Sequence, residues 1–364
     1  MYIWDITCMT EISHLNLSKK GPFSPEICYN VSVSQHYIFR VKGARSMANY
    51  IKKDTGLQVK MLRRSKKQSL TLAYVLYLQG LEAENTQMMV RSTRVRDCST
   101  YWQGYKCPQC GRLHGMTTYG CHHRLCPICS VRKSRATAAQ AMQVINQIQR
   151  ECIEQQTSYD YSLLTLTQRN VPAEDLNAEI TRMLNAWSSL RYLRQVRREL
   201  IGWARTIEIT VGKDGTYHPH IHCILITKQG SELTTTNAWR RIWREAMSLD
   251  YQPICDCRAI TEVNAVYEVS KYVTKLAKIF EQPLGYVYDD VRVIGDATYK
   301  RRLRSYGGRW AAIRREMKMV DVEEMDDGAL DAAAALIDGH DRCECGHELE
   351  PVCLIWSGMD YKEV

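Results

Sequence analysis

His218-Pro-His220-Ile-His222 decides the reading of this 364-residue chain. On a strand, side chains at i and i+2 point to the same face. His220 and His222 therefore project together, and Ile221 faces the opposite, core side. A single strand histidine is usually structural. Two on one face can bind a divalent cation if a third ligand arrives from elsewhere. Upstream, residues 205–211 are rich in β-formers and are joined to residues 218–227 by Gly212-Lys-Asp-Gly-Thr216, a hairpin turn signal. A turn centred on Asp214 places Glu208 across from His220. A carboxylate oxygen there suits Mg2+ or Mn2+ better than three imidazoles would. His218 lies on the same face and competes for the third position, and a one-residue slip in register sends Glu208 to the other face.

Outward from this hairpin, residues 161–168 alternate and read as a strand. Residues 131–152 lack Gly and Pro and read as a helix, as do 173–200, just after Pro172, and 263–280. Strands and helices come in runs rather than in strict βαβ alternation, which predicts an α+β domain with an antiparallel sheet. On the predicted 263–280 helix, Glu268 and Tyr272 are i and i+4, and Lys275 follows Tyr272 by three, so all three share a face. A tyrosine hydroxyl with its usual pKa near 10 is a poor nucleophile. A nearby cation and a general base help it, and attack on a phosphodiester then leaves a phosphotyrosine link and a free 3′-OH. Tyr267 lies about 140° from Tyr272 around such a helix and faces away.

Fifteen cysteines without an export signal, many in C-x-x-C spacing, read as metal binding rather than as a disulfide framework. Cys107-Pro-Gln-Cys110 and Cys126-Pro-Ile-Cys129 are two knuckles separated by fifteen residues. That spacing predicts four thiolates around one structural Zn2+. Cys121 is an alternate ligand, His114, His122 and His123 are close by, and Cys98 is a spare. Cys343-Glu-Cys345-Gly-His347 with Cys353 is an irregular, weak match to a second site. Cys255-Asp-Cys257 reads as a pair of strand cysteines.

The chain carries a formal net charge of +9, which points to nucleic acid as partner. The charge is clustered. Residues 42–67 hold nine Lys/Arg against Asp54, and residues 300–318 hold eight against Glu316. Arg191, Arg194, Arg197, Arg198 and Arg205 form a third group. Arg124, Arg132 and Lys133 flank the second knuckle, and with Arg302 and Arg304 they are the candidate phosphate contacts. Residues 321–331 reverse the sign, with six acids and no base. The resulting division is a basic region of unknown role (1–95), a zinc-binding module (96–135), a catalytic domain (136–320), and an acidic spacer with a Cys/His-rich tail (321–364). No apolar run approaches the ~18 residues of a membrane span, and the first residues lack the pattern of a signal peptide. The expectation is a cytoplasmic protein with no membrane partner.

Together these residues resemble the rolling-circle plasmid replication initiators of the HUH endonuclease superfamily, in the branch that pairs one tyrosine with a glutamate. Leu164-Thr-Leu-Thr-Gln-Arg-Asn170 resembles the first motif strand, Glu208 through His222 the metal strand, and Glu268-x-x-x-Tyr272 with Lys275 the nucleophile helix. Cys121-His-His-Arg-Leu-Cys-Pro-Ile-Cys129 resembles the Cys-rich segment before the first motif, and Arg302-Leu-Arg-Ser-Tyr-Gly-Gly308 the closing segment. The resemblance covers roughly residues 95–315. It implies a five-stranded antiparallel sheet flanked by helices, with Mg2+ or Mn2+ on its face. It implies nicking of one origin strand, with Tyr272 left on the 5′-phosphate and Glu268 activating water at termination. Plasmid origin DNA, a host helicase and the replication machinery are the implied partners. A single-tyrosine transposase or relaxase would use the same chemistry, and a non-catalytic zinc-finger regulator is the reading from another class.

Overall fold

The computed structural model describes residues 55–260, 276–338 and 342–364. Glu268, Tyr272 and Lys275, with Tyr267 and residues 1–54, lie outside the described residues. The described elements longer than one turn are α1 (Thr55–Glu82), α2 (Thr86–Asp97), β1 (Tyr101–Lys106), β2 (Leu113–Thr118), α3 (Pro127–Glu154), β3 (Tyr159–Leu166), α4 (Leu176–Leu190), α5 (Arg194–Glu199), β4 (Leu200–Val211), β5 (Tyr217–Lys228), α6 (Thr236–Ala246), β6 (Cys255–Ala259), α7 (Leu284–Thr298), β7 (Arg304–Gly307), α8 (Gly308–Glu316), α9 (Asp327–Asp338), β8 (Glu350–Trp356) and β9 (Tyr361–Glu363).

The central sheet has five strands in the order β6-β3-β5-β4-β7. Every pairing is antiparallel, as the α+β reading expects. Successive side chains point to its two faces, and both faces are buried. Leu164, Leu166, Ile207, Ile221 and Leu225 pack on one side with Trp187 of α4 and Trp239 and Trp243 of α6. The Trp187 and Trp203 rings meet edge to face at 5.3 Å, a favoured aromatic geometry. Leu163, Ala204, Ile224 and Ile226 pack on the other side with Val144, Ile145 and Ile148 of α3 and Trp310 and Ile313 of α8. His222 and His220 continue the row of Ile226 and Ile224 along β5, so the histidines extend this second face.

At the β7 edge two glycines allow close approach. A side chain at Gly307 would meet the Trp203 ring at 2.3 Å, and Gly308 takes φ +58 with the Ile201 carbonyl 2.2 Å from where a Cβ would stand. The Gly-Gly pair of the closing segment therefore lets β7 pack flat over a tryptophan.

The predicted helix 173–200 is broken. A short 3-10 turn precedes α4, α4 stops at Leu190, and α5 leads directly into β4. Leu190 and Val196 are both buried in the core, yet six residues apart they would lie about 120° apart on one straight helix. The break turns both inward. Residues 55–97, which carry no readable motif, form the α1–α2 pair, with Leu72, Val75, Leu76 and Val95 buried.

A second, four-stranded antiparallel sheet has the order β2-β1-β8-β9. It joins the 96–135 module to the carboxyl-terminal segment, with Trp102 opposite Leu354 and the Tyr361 hydroxyl donating to the Ser99 carbonyl at 2.6 Å. Residues 321–338 and 342–364 therefore pack back onto the other described residues: Val322 and Leu330 bury against Ala136 of α3. No described helix is long and apolar enough to cross a membrane.

Candidate metal centre

The β4–β5 turn is built by Asp214, whose carboxylate accepts from the Thr216 amide at 3.2 Å and the Thr216 hydroxyl at 2.7 Å. This local turn centres the hairpin on Asp214 and sets the register, in which Glu208 lies opposite His220 and Thr206 opposite His222. Glu208 Oε2 is 2.8 Å from Nε2 of both His220 and His222. The three ligand atoms form one group with metal-binding spacing. His218 stands on the same face, its ring 5.4 Å from that of His220, but it is not one of the three.

The other ring nitrogens are held. His220 Nδ1 donates to the His218 carbonyl at 3.2 Å, and His222 Nδ1 lies 3.0 Å from the Thr165 hydroxyl on β3. Such outer contacts orient a ligating imidazole and set its tautomer, and here they would leave Nε2 to hold an ion. Burial pushes the Glu208 carboxyl up, but hydrogen bonds from His220 and His222 and their charge outweigh it and hold the group well below the usual carboxylate range. Two imidazole nitrogens and one carboxylate oxygen fit a divalent cation and leave coordination positions open. Glu208 and His220 are buried, while the His222 side chain keeps 17% exposure, which places the open side of the centre at His222.

Two four-cysteine groups stand elsewhere. Cys98 Sγ is 3.7 Å from Cys126 Sγ and 3.6 Å from Cys129 Sγ, and Cys121 Sγ is 3.6 Å from Cys129 Sγ. In the other group, Cys107 Sγ is 3.4 Å from Cys345 Sγ, and Cys110 Sγ is 3.5 Å from Cys343 Sγ. A metal 2.3 Å from each of four tetrahedral sulfurs gives edges of about 3.8 Å. A disulfide would need about 2.05 Å, and none of the eight sulfurs is disulfide-bonded.

These groups change the expected ligand set. Cys107 and Cys110 do not share a centre with Cys126 and Cys129. Strand β1, roughly 20 Å long, separates Cys98 at its start from Cys107 at its end. Cys98, the spare, and Cys121, the alternate, complete the group at the α3 amino terminus. The irregular tail pair, Cys343 and Cys345, completes the other. The backbone N–H groups of Cys110 and Gln109, with the Cys345 and Cys110 side chains, lower the Cys107 thiol to about 6 against the opposing effect of burial. Cys255 and Cys257 are buried strand residues of β6, as expected.

Residues 112–347 match the family model described as "Replication protein". The chain belongs to this replication-protein family. Similar proteins include a "Protein rep" of Streptococcus pneumoniae serotype 2, 31% identical over 59% of this chain and 69% of the relative. A "Protein rep" of Lentilactobacillus hilgardii is 30% identical over 69% of this chain and 81% of the relative. One from Bacillus amyloliquefaciens is 31% identical over 65% and 76%. No solved structure matches.

In this family member the basic residues read from sequence as DNA contacts divide into two kinds. Arg132 is buried and pairs with Asp327 and, at 2.8 Å, with Asp331. Lys133 and Arg304, also buried, converge on Glu323 at 2.6 and 2.9 Å. These three are internal partners of the acidic stretch and are not presented to phosphate. Arg124 is half-buried and donates to the backbone carbonyls of Thr298 and Arg301. Arg302 remains outward, its side chain 73% exposed beside Asp321 at 3.5 Å. The sequence showed two charge blocks of opposite sign but not that they neutralise each other. Removing one partner of a buried pair strands the other charges. Arg132→Ala is therefore expected to lower stability by about 3 kcal/mol, whereas Arg302→Ala should stay within about 0.5 kcal/mol. Urea midpoints of the two variants provide the comparison; equal midpoints would show that the Arg132 pairs carry no stability.

Lys66 belongs to the same story. It lies in the basic run 42–67, yet it is buried beneath the Cys98 group. Its Nζ donates to the carbonyls of Arg96 (2.8 Å) and Cys98 (2.5 Å) and lies 3.2 Å from the Thr100 hydroxyl. Burial lowers its pKa, and the Cys98 and Cys126 thiolates oppose that shift. A buried ammonium here would offset the excess negative charge of four thiolates holding one divalent ion. Only the folded arrangement of α1 against α3 shows it.

Proposed function

We propose that this protein initiates rolling-circle replication of a plasmid by nicking one strand of its origin DNA. The observation that carries the reading is the Glu208–His220–His222 triad on the central antiparallel sheet of a replication-protein family member. Glu208, His220 and His222 would hold a divalent cation, which when bound supplies Lewis-acid polarisation of the scissile phosphate. Tyr272 supplies the nucleophile. Its hydroxyl loses a proton as its oxygen attacks phosphorus, the P–O3′ bond breaks, and the leaving 3′-oxygen takes up a proton. The products are a 5′-phosphotyrosine and a 3′-OH primer. Lys275, three residues on, favours the phenolate over the phenol. The exposed Arg302 is a phosphate contact for the origin strand, and a host helicase is the partner that would unwind ahead of the primer.

Glu268 acts at the end of the round. Initiation uses the tyrosine hydroxyl itself, whereas termination needs a second nucleophile, and a carboxylate close to the tyrosine can generate it from water. Glu268→Ala should therefore still nick and form the adduct but fail to resolve after one round, giving overlong single strands. Were Glu268 instead the base for Tyr272, the first nick would slow by about 10²–10⁴-fold. Nicking rate and product length, measured together, separate the two: slow nicking with unit-length product rejects the termination role. The proposal as a whole is tested by incubating the protein with single-stranded origin DNA and Mn2+. An SDS-resistant protein–DNA adduct is expected, and its absence across candidate origins would favour a non-catalytic DNA-binding role.

A further inference from the structure

The Cys107–Cys110 turn and the Cys343–Cys345 turn share a hydrogen-bond pattern, the second being one residue shorter. In the first, the Cys107 amide donates to the Arg112 carbonyl at 2.9 Å and the Gly111 amide to the Cys107 carbonyl at 2.8 Å. In the second, the Cys343 amide donates to the His347 carbonyl at 3.0 Å and the Gly346 amide to the Cys343 carbonyl at 2.8 Å. Each has a glycine at positive φ directly after its second cysteine, Gly111 at 68° and Gly346 at 87°. The two turns face each other across the four sulfurs, and Arg112 pairs with Glu344 at 2.9 Å beside them.

We infer that Cys107, Cys110, Cys343 and Cys345 form a second structural zinc site, separate from the Cys98 group, that clasps the carboxyl-terminal segment to the β1–β2 hairpin. Four thiolates at tetrahedral spacing select a soft, four-coordinate ion, and a closed set with no open position is structural rather than catalytic. The clasp closes a chain loop of more than two hundred residues, between Cys110 and Cys343. It ties the two segments together beside the pairing of β8 with β1. The two zinc sites differ in access. Cys98, Cys126 and Cys129 are buried, whereas Cys110 and Cys345 are exposed. The clasp is therefore the site that solvent reagents reach first. This inference rests on sulfur and backbone geometry and stands whether or not Tyr272 nicks DNA.

The test is zinc content of the full chain, by inductively coupled plasma mass spectrometry, in wild type and in the C343S/C345S double variant. The variant is expected to lose one zinc equivalent, with the Cys98 group still loaded and the Cys343 and Gly346 amides exchanging hydrogen faster. Unchanged zinc content, or iron in place of zinc, overturns the assignment. Should the variant not fold, wild type is titrated with p-hydroxymercuribenzoate while a zinc indicator records release. Two steps of one equivalent each are expected, the first matching the exposed thiols. Release in a single step of one equivalent overturns the second site. An ion at Glu208, His220 and His222 has no thiolate ligand and does not enter this count.

Discussion

Tyr272→Phe is expected to form no covalent DNA adduct and to nick origin DNA at least about 10⁴-fold more slowly than wild type, the scale on which covalent enzymes lose rate when the nucleophile is removed. The substitution deletes one oxygen. It leaves the aromatic ring, the net charge and the basic surface, so origin affinity should change by less than about 0.5 kcal/mol. The combination separates loss of chemistry from loss of binding. A gel-shift titration and an SDS-resistant adduct assay on the same preparation read both. Tyr267→Phe is the control, because its position five residues earlier turns it away on the predicted helix, and it should nick normally. Full activity in Tyr272→Phe together with inactivity in Tyr267→Phe would move the nucleophile to the other tyrosine.

The second large effect is at Glu208. Outer contacts of a metal ligand typically matter by 10–100-fold in metal affinity or activity, and a direct ligand should matter at least as much. Glu208→Ala is therefore expected to weaken Mn2+ binding by about 10²-fold or more and to abolish cleavage at ordinary Mn2+ concentrations. His220→Ala and His222→Ala should behave alike. His218→Ala should retain most of the metal affinity, because His218 stands outside the group of three. Metal-dependent thermal shift provides a readout independent of activity. Glu208 and His220 are also buried partners at 2.8 Å, so Glu208→Ala without metal should cost about 1–3 kcal/mol from the imidazoles left without their acceptor. Normal Mn2+ affinity in Glu208→Ala, with loss in His218→Ala, would exchange the two residues as the third ligand.

What the sequence determined about this protein is local. The His-x-His spacing places two imidazoles on one face of any strand, because the side-chain period is two. Asp214 and Gly215 specify the turn through one carboxylate and one positive φ, so the pairing of Glu208 with His220 follows from a few neighbouring residues. Residues 161–168, 205–211 and 218–227 read as strands of an antiparallel sheet, but that both of its faces are buried was decided by the helices packed on them. The break after Leu190 was not legible, because no Gly or Pro marks it; it is imposed by burying Leu190 and Val196 together. The metal groups needed the fold most. Cys107 and Cys126 are near in sequence but held apart by the length of β1, while Cys107 and Cys345 lie far apart in sequence and meet because β8 pairs with β1. Charge gave the same lesson. Arg132, Lys133 and Arg304 count as basic residues in any composition, yet folding sets them against Asp327, Asp331 and Glu323. A buried charge must find its opposite, and the choice of partner is made by the packing of residues 322–331 against α3, which no stretch of sequence specifies by itself.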